Sequence, residues 1–422
     1  MLRQEDNQLL CRIGPGTLMG NLMRQYWLPA LQTIELPEPN SDPVRIKLLG
    51  EELVAFRDTN GDVGLVDNYC PHRRASLFFG RNEECGIRCV YHGWKFDING
   101  DCVDMPSEPA ESNFKDKVKI TAYPCHERNG VIWAYMGPSK VPPALPELEG
   151  NMYEDYSITV LHRRNNWMQG IEGELDTVHA SLLHGGHVRA EDLKPGSFGY
   201  YQAKHREGKF SVKETDFGTS YGMYRPAEDD TYYWRIGHLL FPCFAMPPVP
   251  TMGEEARFLA YVPMDDEHTL EWSIGVRTGP QAGNPGRQGR EYIPNTSDWY
   301  GRYNIEQNWD NDFQIDRDAQ RTKQSYTGII GVRQQDMAMT EGMGPILDRS
   351  SEHLGTTDQM IIRTRRKFLA AARALAEDGT PPPGVDNPEA YHQRCGQVIL
   401  PRNADWWEAT KMDRERFEAP RV

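Results

Sequence analysis

Cys70-Pro71-His72 is followed about twenty residues later by Cys89-Val90-Tyr91-His92-Gly93-Trp94, a duplicated Cys-then-His order. Two thiolates for one iron and two imidazoles for the other are the ligand set of a Rieske [2Fe–2S] cluster, which moves single electrons. Each pair lies on a short loop, so two loops can pinch the cluster from opposite sides. Replacing two thiolates by imidazoles removes negative charge and raises the reduction potential over an all-cysteine cluster. Asn68 and Pro71 make a turn, and Gly93 lets the chain bend behind the second pair. Trp94 and Phe96 can cover the cluster with apolar surface. Zinc also takes Cys and His at short spacings, but zinc ribbons favour C-x2-C knuckles. Structural cysteines beside incidental histidines would leave the repeated order unexplained. Cys85 has no histidine partner and reads as a free thiol.

Working outward, 422 residues are too many for one core and suggest two domains. Net charge is −14, with 47 Lys and Arg against 61 Asp and Glu, so no nucleic-acid footprint is present. The first residues, Met1 to Asp6, carry charges where a signal peptide needs an apolar run, and no stretch reaches membrane-span length. Eight scattered cysteines do not form a disulfide framework. These features predict a soluble, cytoplasmic-type protein.

Residues 1 to about 25 read as an amphipathic lead-in around Leu9, Leu10, Leu18 and Leu22. Short β-like runs follow at Arg45–Leu49, Leu53–Arg57, Val63–Val66, Ile120–Tyr123 and Val131–Met136, with Asn60-Gly61-Asp62 and Asn99-Gly100-Asp101 as turns. Pro138, Pro142, Pro143 and Pro146 mark a join. We therefore expect an all-β cluster domain over 1–140, with its core at about 26–136, and a second domain over 141–422. In the latter, Asn166 to Leu183 has helical spacing, stopped by Gly185-Gly186. Runs at Phe210–Glu214, Tyr232–Leu240, Arg257–Val262 and Thr269–Val276 suggest an antiparallel sheet, and Ile361–Ala376 a helix. The fold class is α+β. Pro280 to Arg290, with Gly279, Gly283 and Gly286, reads as a surface loop.

The segment Glu172-Gly173-Glu174-Leu175-Asp176-Thr177-Val178-His179, ending at His184, carries a second constellation. On a helix, Asp176 and His179 share a face, with Glu172 one turn earlier. His184 lies five past His179, so both histidines reach one ion only if the helix distorts or ends. Two histidines and a carboxylate with open positions suit a non-heme Fe(II) that binds O2. Packed histidines oriented by Asp176 are the alternative, but a cluster that delivers electrons needs an acceptor.

C-x-H, C-x2-H and then Glu-x3-Asp-x2-His-x4-His, in that order, make the chain resemble the catalytic α subunit of a Rieske non-heme iron oxygenase. Arg73, Arg74 and Ala75 stand where respiratory Rieske proteins carry an extra cysteine. The wording PHRRASLFFGRNEE and CVYHGWKFD is most similar to the phthalate 4,5-dioxygenase group, as is Asn311 to Arg317 with Gln320. The resemblance implies cluster ligands Cys70, His72, Cys89 and His92, iron ligands His179 and His184, and a bridging carboxylate at Asp176. Many members place an acidic residue five positions after a third, aspartate ligand. Asp312 is the expected ligand although Arg317 stands five after it, with Asp310, Asp316 and Asp318 as rivals. The resemblance further implies a head-to-tail homotrimer, alone or stacked, with Asp176 bridging to a cluster histidine of the neighbour.

No Gly-rich dinucleotide fingerprint follows a strand, so a separate NAD(P)H-dependent reductase is expected, in this group one with FMN and a plant-type cluster. The expected reaction is O2-dependent cis-dihydroxylation of an aromatic carboxylate. The alternatives are a monooxygenase or O-dealkylase of related ethers, carboxylates or sulfonates, and an electron-transfer protein with a non-catalytic binding domain. Lys209, Arg225 and Arg235 are candidates for a substrate carboxylate, with Ser181 and Met168 as cavity residues and His187 near the iron.

Overall fold

In the computed structural model, residues 2–248, 251–276 and 290–420 are described. The expected loop at 280–290 lies outside them except for Arg290. The lead-in forms two helices, α1 (Gln4–Cys11) and α2 (Leu18–Met23), the second capped by Thr17 accepting from the Gly20 amide. Three small antiparallel sheets follow. Trp27–Gln32 pairs with Val131–Tyr135, which pairs with Cys125–Arg128. Val44–Leu48, Glu51–Arg57 and Val63–Asp67 form a meander, and four short strands between Arg81 and Asp104 form the third sheet. The turn glycines Gly61 and Gly100 take positive φ, 93° and 80°, as Asn-Gly turns require. The run at Ile120–Tyr123 forms no strand and makes one isolated bridge, Ala122 to Val66.

The second region is built on an eight-stranded antiparallel sheet. Its order is Tyr156–Arg163, Thr269–Val276, Arg257–Pro263, Phe244–Met246, Thr231–Leu240, Gly218–Pro226 and Lys209–Glu214. Gly396–Pro401 pairs with the first half of Thr231–Leu240, while Phe244–Met246 takes its last residues. The sheet carries α3 (Trp167–Leu175), α4 (Phe198–Lys204), α5 (Arg317–Arg321), α6 (Val332–Gly342) and α7 (Gln359–Asp378). Helix α7 buries Met360, Ile361, Thr364, Phe368, Leu369 and Ala372 along one stripe and ends at Gly379, φ 74°.

The lead-in packs onto α7 and also reaches the cluster-domain meander, where Arg24 donates to Glu51 (2.8 Å) and to the Leu49 carbonyl (2.9 Å). Leu10, Leu22 and Phe368 lie in one core that also holds Trp133, Trp167 and Tyr261, so a continuous apolar interior spans both regions. A buried ion network reinforces the seam. Glu172 on α3 accepts from Arg349 (2.8 Å) and Arg365 (2.5 Å), and Arg349 also donates to Asn7 of α1 (3.1 Å). Among the described residues, no helix is long and apolar enough to cross a membrane.

Candidate active site

The cluster loops close by local hydrogen bonds. The Arg74 amide donates to the Cys70 carbonyl (2.9 Å), and the Gly93 amide to the Cys89 carbonyl (2.9 Å). Gly93 has φ 81°, and a Cβ there would lie 2.5 Å from Pro106 Cγ, so glycine is required twice over. Cys70 and Cys89 are buried in an apolar cluster with Trp94 and Phe96. His72 and His92 stand together, ring centroids 4.4 Å apart, with Trp94 stacked on His72 at 4.5 Å. Sulfur thus faces sulfur and imidazole faces imidazole. Burial, with Cys89 alongside, pushes the Cys70 thiol up to about 12, a proton that iron would displace. His92 Nδ1 is buried without a hydrogen-bond partner, as a donor atom awaiting a metal would be. The residues fit a Rieske cluster.

The second face forms because the predicted helix stops early. Helix α3 ends at Leu175, and Asp176 is its C-cap at φ −79°, ψ 82°. The Asp176 carboxylate accepts from the amides of Val178 (3.0 Å) and His179 (3.4 Å), a local turn that competes with helix. A short 3-10 turn, His179–Ser181, then brings the two histidines round. Their Nε2 atoms are 3.2 Å apart, and Asp336 Oδ1 lies 3.1 Å from His184 and 3.5 Å from His179. His179, His184 and Asp336 are the one group among the described residues whose donor atoms converge as a metal requires.

Asp312, expected as the third ligand, is not there. It lies exposed in a turn over Trp309–Gln314 at φ 51°, and its neighbour Phe313 is the anchor, buried with Leu161, Ile329 and Met337. The rivals are committed too. Asp310 pairs with Arg164 (2.7 Å), Asp316 caps α5, and Asp318 pairs with Arg321. The missed carboxylate, Asp336, sits on α6, and Glu341 stands five residues after it. That spacing was the available signal; it belonged to a later segment than Asn311–Arg317.

Electrostatics prepare the face for a cation. Burial by itself would raise the Asp336 carboxyl, but hydrogen bonds with His179 and His184 and the charge of Arg333 hold it far below the usual range. Burial would lower His179, and Asp336 reverses this to raise it. Gln335 Nε2 donates to the Ile329 carbonyl (2.8 Å), so its Oε1 accepts from His184 Nδ1 (2.7 Å) and the His184 Nε2 lone pair points at the face. Asp176 Oδ2 stands 3.7 Å from His179 Nδ1. A cavity of about 440 Å³ opens on this face, lined among others by Thr159, Leu161, Arg235, Arg257, Ser273 and Arg333.

Of the substrate candidates, only Arg235 reaches this cavity. Lys209 is exposed on the edge strand. The buried Arg225 donates to the carbonyls of Glu207 and Arg206. Ser181 donates to the Val178 carbonyl (2.8 Å), and Met168 is fully buried in the core. His187 packs edge-on against Tyr326. Arg257 and Arg333 were missed, because cavity-facing arginines carry no local sequence mark.

A one-electron cluster domain joined to a domain with two imidazoles and one carboxylate beside a substrate-sized cavity defines a two-centre oxidoreductase. The Rieske [2Fe-2S] domain family matches residues 26–124, and the "LigXa C-terminal domain like" family matches 134–421. The chain is 45% identical over 421 residues to the 3-chlorobenzoate-3,4-dioxygenase oxygenase subunit of Comamonas testosteroni, covering 96% of this chain and 97% of that protein. It is 37% identical to the phthalate 4,5-dioxygenase oxygenase subunit of Pseudomonas putida, covering 96% and 94% respectively. Pseudomonas putida CBB5 NdmA shares the fold, at TM-score 0.56 and 17% identity, over 87% of this chain and 96% of that one. The chain belongs to the Rieske non-heme iron oxygenases, as the terminal oxygenase subunit of a multicomponent system. It uses a Rieske cluster and a mononuclear iron and depends on a separate electron-transfer partner.

Proposed function

We propose that this subunit oxidises an aromatic carboxylate, adding both atoms of O2 to adjacent ring carbons to give a cis-dihydrodiol. Two electrons from a separate NAD(P)H-dependent reductase, of the FMN and plant-type cluster kind, and two protons balance the reaction. Cys70 and Cys89 would hold one cluster iron, His72 and His92 the other, and His179, His184 and Asp336 the mononuclear iron. The cluster supplies electrons singly, and the ferrous ion supplies an open site for O2. The protein's own part is positional. Gln335 sets the tautomer of His184, Asp176 faces Nδ1 of His179, and the walls hold the substrate.

One observation carries the reading: the His179–His184–Asp336 face opens on a cavity whose Arg235 is buried against neutral acceptors. Arg235 donates to Thr177 (2.6 Å), Gln202 (3.3 Å) and Gln397 (3.2 Å), so its charge stays available to attract an anion. The names of the two relatives above, 3-chlorobenzoate and phthalate dioxygenases, agree with that class. Val90 and Tyr91, 58% and 55% exposed at the cluster tip, and the half-exposed Asp176 suit a homotrimer in which each tip meets a neighbour's Asp176.

The test is oxygen uptake with aromatic acids and with matched neutral and sulfonated compounds, followed by product analysis. Cis-dihydrodiols from carboxylates support the reading. A phenol with released aldehyde identifies an O-dealkylase instead.

A further inference from the structure

Among the described residues, every arginine on the cavity wall but one already acts on a neighbouring protein group. Arg333 is ion-paired with Glu174 and, at 3.2 Å, with Glu271. Arg235 is held in place by the three neutral acceptors named above, so it lends charge to the cavity from a fixed position, and the charge of Arg290 acts on Glu271. Arg257 lines the cavity half-buried and, among the described residues, makes no hydrogen bond or ion pair. Glu255, also on the wall, is not within ion-pair distance of it.

The sheet register measures where this guanidinium sits. Leu161, Glu271 and Tyr261 face one another across three strands; Thr159, Ser273 and Leu259 form the next row, and Ser157, Gly275 and Arg257 the third. Side chains alternate, so these rows share one face, the cavity face. The first row is tied to the metal-binding face, since Arg333 bonds Glu271 and also lies 3.7 Å from Asp336. The third row begins four residues along the strand, about 13 Å away. Gly275 makes room for the arginine: a Cβ there would lie 2.9 Å from Arg257 Cγ and 3.0 Å from its Cβ. Glycine inside a strand marks such a close approach.

We propose that Arg257 is the carboxylate anchor of the cavity, and that it turns the ring edge remote from the carboxylate toward His179, His184 and Asp336. The proposal rests on the aromatic-acid reading above and adds the subsite and the orientation. A half-buried arginine with no counterion among the described residues offers two parallel N–H donors to a carboxylate. The ring then lies over Ser273, Thr159 and Leu161. Both oxygen atoms enter at adjacent carbons of the remote edge, with two electrons from the reductase and two protons. The carboxylate is retained and no CO2 leaves.

The test is anaerobic calorimetric titration of the holoenzyme with 3-chlorobenzoate and with the neutral 3-chlorobenzamide. Arg257→Gln should weaken the acid about 10- to 100-fold, the worth of a charged hydrogen-bonded contact, and leave the amide unchanged. Arg257→Lys should fall between, and Gly275→Ala should weaken the acid by displacing the arginine. The diol formed by the wild type should lie away from the carboxylate-bearing carbon. Equal acid binding by wild type and Arg257→Gln, or a diol at the carboxylate-bearing carbon, overturns the anchor while leaving the aromatic-acid reading intact. A wild type that binds the amide but not the acid removes both.

Discussion

The cluster loops draw all four donors from positions 70–92, whereas the second face draws on 179, 184 and 336. The first site is two hairpin-like loops closed by their own backbone, with the imidazoles near the surface. The second is assembled by α3, the turn after it and α6, behind a cavity wall to which four strands contribute. Proximity in sequence makes the first a property of loops. The second is a property of the fold, and it fails when distant elements shift.

The sharpest way to break this contrast is Asp336→Ala. It should remove the mononuclear iron and abolish oxygenation while the Rieske spectrum and its two irons remain; iron analysis with visible spectroscopy reads both. Loss of the Rieske spectrum as well would show that the two sites are not separable.

Glu172 tests whether the second face depends on remote packing. Burial would raise its carboxyl, but Arg349 and Arg365 outweigh this and lower it. A depressed folded value means stability that is present above the unfolded value, near 4.5, and lost as pH falls through the folded one. Glu172→Ala leaves the buried Arg349 without its carboxylate, while Arg365 keeps Glu352, and should cost about 3–5 kcal/mol at pH 7. Urea unfolding at pH 7 and again at acid pH should show the wild-type advantage shrinking with acidity.

A smaller effect is expected at Gln335. Gln335→Leu removes the acceptor for His184 Nδ1 and should weaken mononuclear iron about 10- to 100-fold without touching the cluster. Chelator competition followed by iron analysis measures it. The smallest effect belongs to Asp312→Ala, which should leave iron content and turnover unchanged, because the turn is anchored by Phe313. Lost iron in that variant would restore the expectation drawn from the sequence.

Much was legible. The alternating runs at 210–214, 232–240, 257–262 and 269–276 all became strands of one sheet, within a residue or two at their ends. The helix expected to Leu183 ended at Leu175, because the Asp176 side chain captured two backbone amides that helix spacing alone assigns to the helix. The acidic run at 310–318 drew attention by density, yet its members are occupied locally, in ion pairs, in a helix cap or in an exposed turn.

By itself the sequence determined the cluster motif, the α+β class and the family, and it singled out two histidines that the structure brings together, since each rests on spacing within a few turns of chain. Tertiary structure alone decided which carboxylate completes the second face and which cavity arginine has no ion-pair partner among the described residues. Those depend on elements separated by scores of residues, whose meeting is set by the burial of Phe313, Met337 and Trp167 rather than by any local pattern.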